Sequence, residues 1–84
     1  MRITAKADYA VRAAVELAAA ADDGPVKGEA IATAQGISLK FLENILSELR
    51  TAGIVASRRG AEGGYWLDRP ASEIVVFVLV WCLD

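Results

Sequence analysis

Histidine does not occur in this sequence of 84 residues. Its absence removes the commonest general base and metal ligand, and with them any Ser-His or Cys-His nucleophile pair. Cysteine is nearly as scarce. Cys82 stands alone, which excludes an intramolecular disulfide and a metal cage built from several cysteines of this chain. It lies in an apolar run, where a thiol is more often packing than nucleophile. Eleven Asp and Glu residues are present, but no spacing gathers two of them into a pocket. No enzyme, catalytic residue or metal site is therefore expected. A leading apolar segment with a cleavage site is missing as well, so no signal peptide is expected and the single cysteine suits a reducing cytoplasm. No internal repeat or linker is evident.

Net positive charge is also lacking, the formal balance being −2, which by itself argues against a nucleic-acid partner. Distribution matters more than the total. Residues 50 to 69 hold Arg50, Arg58, Arg59 and Arg69 against Glu62 and Asp68, while Asp22, Asp23 and Glu29 lie elsewhere. A basic edge can sit on an acidic whole.

Apolar residues make up 55% of the chain, enough for one small domain near the lower size limit for a single core. Thr4 to about Ala21 reads as a first helix, with Ile3, Ala7, Ala10, Val11, Ala14, Leu17, Ala18 and Ala21 along one side. Asp8 and Arg12 stand at i, i+4 in the favourable order. Asp22-Asp23-Gly24-Pro25 breaks it. Gly28 to Gln35 follows as a short second helix anchored by Ile31 and Ala32; its start is poor, because Lys27 stands where a capping Ser, Thr or Asp belongs. Gly36-Ile37-Ser38 makes a turn, with Ile37 expected between the helices and Ser38 as the next N-cap.

The third helix is the clearest element. Leu42, Ile45, Leu46 and Leu49 fall at i, i+3, i+4 and i+7, and Lys40, Glu43, Asn44, Ser47 and Thr51 share the opposite face. Gly53 stops it. Ile54 to Arg59 is strand-like, Gly60 to Gly64 is a loop, and Tyr65 to Leu67 is the returning strand. Val55, Tyr65 and Leu67 should face the helices, with Trp66 on the outer face. The expected fold is therefore mainly α with a small β-hairpin, in the order α-α-α-β-β: a winged helix-turn-helix over residues 1–73. Residues 74 to 83, IVVFVLVWCL, form one unbroken apolar run. It is too short to span a bilayer as a helix, so no membrane partner is expected. It shows no period that chooses helix over strand. Residues 74–84 are thus read as an apolar C-terminal element.

The polar face of the third helix has the side chains to read base edges in a major groove. Lys40 can reach phosphate or guanine, Asn44 can pair with adenine, and Glu43 can accept from cytosine N4. Every amphipathic helix has a solvated face, so the helix alone does not decide. The hairpin adds weight. Arg58-Arg59 leads into a loop with three glycines, where backbone can approach phosphates or enter a narrow minor groove. The loop runs into a strand and not into a helix bearing Lys-Ser/Thr, so it is no nucleotide-enzyme phosphate loop.

MRITAKADYAVRA, GISLKFLENILSELRTAGIV and RRGAEGGYWLDRPASEI together resemble the BadM/Rrf-two family of bacterial winged-helix transcriptional regulators over residues 1–74. The resemblance implies a cytoplasmic, dimeric, sequence-specific DNA-binding regulator, a repressor, with its third helix in the major groove and its wing in the minor groove. By position it assigns Ser38, Lys40, Glu43 and Asn44 to recognition-helix contacts. Arg50, Arg58, Arg59, Gly60 and Gly64 fall to backbone and wing contacts, and Tyr9 to packing in the first helix. Members carry a three-cysteine loop and a long dimerisation helix beyond the stretch that matches. Several also take a cluster ligand from the first helix, at the position of Asp8. No cofactor is expected in this chain, and an iron–sulfur cluster only if a longer product supplies those cysteines.

The expected partners are a double-stranded DNA operator and a second copy of the chain, with 74–84 beginning the dimerisation region. The alternative is a winged helix serving protein interaction or assembly without DNA, in keeping with the net charge, Trp66 and the apolar tail.

Overall fold

Alanine at nearly every inward position of the first helix lets it lie close against its neighbours. The computed structural model describes residues 5–70, 72–74 and 76. In it α1 spans Ala5–Ala19 and buries Ala7, Ala10, Ala13, Ala14 and Leu17. The helix ends two residues before the expected Ala21, in a tightening turn where Ala21 N–H donates to the Ala18 carbonyl. Val11, expected inward, is 36% exposed. At about 100° per residue it lies roughly 100° round from the centre of the buried stripe, and Ala13 lies only about 60° away. Residues 1–4, including Ile3 and Thr4, are outside the described residues.

α2 spans Gly28–Gln35, as expected, and closes on Gly36 at φ 67°, whose left-handed backbone lets the Ile37 N–H reach the Ala32 carbonyl at 3.1 Å. Lys27 at its N-cap makes no capping bond. α3 spans Leu39–Thr51, and the Ser38 hydroxyl caps it by accepting from the Phe41 N–H at 3.1 Å. All four anticipated side chains are buried: Leu42, Ile45, Leu46 and Leu49. Each contributes about 1.5–3 kcal/mol of transfer free energy, which makes this stripe the centre of the core. Ile31, Ala32, Ile54, Val55, Ile74 and the buried side of α1 join it, and Ile37 packs half-buried at its margin.

The hairpin pairs β1, Val55–Arg58, with β2, Gly64–Leu67, antiparallel in the register Val55↔Leu67 to Arg58↔Gly64. Gly64 belongs to the strand and Arg59 to the loop, so the loop keeps its expected length and is shifted by one residue. Val55 is buried and Tyr65 and Leu67 pack on the core, whereas Trp66 is half-buried and does not join it. An unforeseen third edge completes the sheet. Val26 exchanges two backbone hydrogen bonds with Tyr65, at 2.9 and 2.8 Å, so the α1–α2 connection runs beside β2.

Side chains tie the layers together. Lys6 bridges to Glu48 at 2.7 Å, Gln35 donates to Glu16 at 2.6 Å, and Tyr9 meets Phe41 edge to face with centroids 5.8 Å apart. After the hairpin, residues 72–74 and 76 are helical, with Ile74 in the core and Val76 63% exposed. The expected dimer-forming run lies outside the described residues from position 77 onward.

Candidate nucleic-acid interface

α3 offers a row of exposed polar side chains because its apolar stripe is fully spent on the core. Lys40, Glu43, Asn44, Ser47 and Thr51 are all exposed, at spacings of three and four that keep them on one face. Two members of the region are partly engaged. The Thr51 hydroxyl donates to the Ser47 carbonyl at 3.0 Å, and the Ser38 oxygen accepts from the helix, which leaves its O–H free to donate. Among the described residues no hydrogen bond or ion pair occupies the side chains of Lys40, Glu43 or Asn44. Glu48, on the same helix, is held by Lys6.

Beyond the shared core, one side-chain hydrogen bond among the described residues joins the wing to this helix. Arg50, in the last turn of α3, donates to the Ser57 hydroxyl in β1 at 3.1 Å. Arg58 makes a long contact of 3.5 Å to the Glu62 carbonyl across the loop. Arg59 is exposed and has no side-chain partner among the described residues. Its neighbour Gly60 has φ 105° and open space where a Cβ would stand.

The remaining glycines of the loop answer to the fold itself. A Cβ on Gly63 would collide with the Arg58 carbonyl, and one on Gly64 would stand 2.7 Å from the Val26 oxygen at a φ of 145°. Gly64 is buried as well. Counting three glycines toward approach to a ligand therefore overstated the case: Gly60 alone faces open space. Gly63 and Gly64 let the hairpin close and let Val26 pair with β2.

Lys27 is the residue that the sequence did not bring forward. Its ammonium donates to the Gly60 carbonyl at 2.6 Å, from the connection before α2. The same oxygen accepts the Gly63 N–H at 3.0 Å. The one available signal was the missing cap at this position, which leaves the Lys27 side chain free for another use.

The first helix holds no comparable surface. Asp8 pairs with Arg12 at 3.3 Å, and the Arg12 guanidinium lies 5.2 Å from the centre of the Tyr9 ring. The hydrogen bond that Arg12 donates to Asp8, and then the Asp8 charge, raises the Arg12 pKa above an already high ordinary value, so the guanidinium stays charged. Tyr9 packs, as the resemblance implied. Among the described residues no three His, Cys, Asp or Glu side chains converge on a common point. Nor is any described helix long and apolar enough to cross a membrane.

This arrangement has close counterparts. A Mycobacterium tuberculosis (strain ATCC 25618 / H37Rv) protein, Rv1287, named for the HTH-type transcriptional regulators, is 52% identical over 84 residues, covering 100% of this chain and 52% of that protein. The HTH-type transcriptional regulator IscR of Photorhabdus laumondii is 46% identical over the whole chain and 51% of its own length. Among solved structures, CymR, the global cysteine regulator of B. subtilis, superposes with a TM-score of 0.83 at 35% identity, over 93% of this chain and 64% of that one. The chain thus spans about half the length of the curated relatives it matches. The Rrf2 model, described as an iron-dependent transcriptional regulator, matches residues 3–84, and the chain belongs to that family.

Proposed function

We propose that this chain is the DNA-reading segment of a bacterial transcriptional regulator that acts in the cytoplasm as a repressor. α3 enters the major groove and the wing reaches the adjacent minor groove. The observation that carries this reading is the set of unpartnered polar side chains, Lys40, Glu43 and Asn44 on α3 and Arg59 on the wing. Polar groups left free on two elements braced by the Arg50–Ser57 bond are available to a polyanion and its base edges. Regulators among the relatives favour it over an interaction module.

The parts divide by chemistry. Lys40, Arg50 and Arg58 neutralise phosphates, and the free O–H of Ser38 donates to another. Asn44 pairs with adenine, Glu43 accepts from cytosine, and Arg59 enters the minor groove with Gly60 at the closest approach. Gly64 acts indirectly, by holding the wing in shape. None of these contacts needs a metal, although the family's description names iron.

A dimer suits the geometry, because two half-sites one helical turn apart require two recognition helices. We place its contact in the apolar run beyond Ile74, since Ile74 itself is taken up by the chain's own core. Sedimentation equilibrium should then show a dimer that Val78→Lys with Val80→Asp dissociates; a parent chain monomeric at high micromolar concentration would remove that part of the proposal.

Arg59→Ala tests the wing. On a duplex recovered by selection from a random library, it should weaken binding by about 1–3 kcal/mol and lower the slope of log affinity against log salt by about one. The circular dichroism melt should be unchanged. Equal affinity for mutant and parent at matched moderate salt would defeat the assignment.

A further inference from the structure

We propose that Lys27 is a wing-positioning residue: its ammonium fixes the tip of the wing and so sets the angle at which Arg59 is presented. The inference rests on the DNA reading above and goes beyond it, because Lys27 lies on neither the helix nor the hairpin that make the interface. Three observations point the same way. The Lys27 side chain crosses 33 positions of sequence to donate to the Gly60 carbonyl at 2.6 Å. That carbonyl belongs to the residue next to Arg59, and it already closes the wing turn by accepting from Gly63. The backbone beneath Lys27 is itself anchored, since Val26 exchanges two hydrogen bonds with Tyr65 of β2.

The physical logic follows from where freedom remains. Gly60 has a positive φ, and nothing packs where its Cβ would stand. A glycine turn in that setting has much conformational freedom to lose on meeting a groove. A charged donor fixed at both ends of its reach removes part of that freedom before binding. It also explains why α2 begins on a residue that cannot cap it: the side chain at that position serves the wing instead.

The test is a double-mutant cycle on the whole chain, using Lys27→Met, which keeps the aliphatic stem and removes the donor, and Lys27→Arg, which restores one. Lys27→Met should raise the dissociation constant about three- to tenfold, as expected for one solvent-exposed hydrogen bond, and Lys27→Arg should recover most of that. Arg59→Ala should cost clearly less in the Lys27→Met background than alone, because a badly presented arginine has less to lose. In the free protein, amides 60–63 of Lys27→Met should show lower order parameters while the melting temperature barely moves.

Additive costs with a further drop of about one in the salt slope would mean that Lys27 meets a phosphate itself, and would overturn the proposal. An unchanged affinity would overturn it too. If the parent chain bound no duplex, the DNA reading would fail, and the amides alone would judge the strap: loosened they support it, unchanged they refute it.

Discussion

Glycine at 64 and glycine at 60 look alike in the sequence and do different work. The first is buried beneath the Val26 carbonyl, and the second faces open space. Gly64→Ala should therefore cost about 2–4 kcal/mol in urea denaturation, from a strained backbone together with a clash against backbone that cannot rotate away. Gly60→Ala carries the backbone strain alone and should cost about 1–2 kcal/mol. A Gly64 variant no less stable than the Gly60 variant would show that Val26 does not press on the wing. Neither the Val26 pairing nor the Lys27 strap was readable beforehand, for a physical reason. A single bridging residue has no period, and a side chain reaching across 33 positions leaves no local pattern.

At the scale of elements, legibility followed the contrast between faces. α3 alternates leucine and isoleucine against charge and amide, so its cap at Ser38, its four buried side chains and its polar row were all evident from spacing. α1 has alanine on several sides, and alanine fits either a core or a surface. Its buried face was accordingly read about a tenth of a turn off, with Val11 taken for Ala13. The same clarity in α3 makes a sharp expectation for Glu43. A carboxylate repels phosphates and contributes by accepting from a base donor. Glu43→Ala should thus change the bases preferred in a randomised-site selection more than it lowers total affinity. The same motif from both proteins would reduce Glu43 to a solvated residue.

At the scale of the whole molecule, an acidic chain has, among its described residues, unpaired cations and an amide where α3 and the wing are pinned together by Arg50 and Ser57. The pinning matters because two loosely joined elements would pay for their alignment on binding, whereas a braced pair arrives aligned. The central claim is that these two elements form one DNA surface. It is tested most directly by titrating a selected duplex into the isotope-labelled chain and mapping the perturbed backbone amides. The account predicts perturbations concentrated at residues 38–47 and 58–63, both fading together as salt is raised. Perturbations centred on α1 and Trp66, or a response from only one of the two elements, would contradict it.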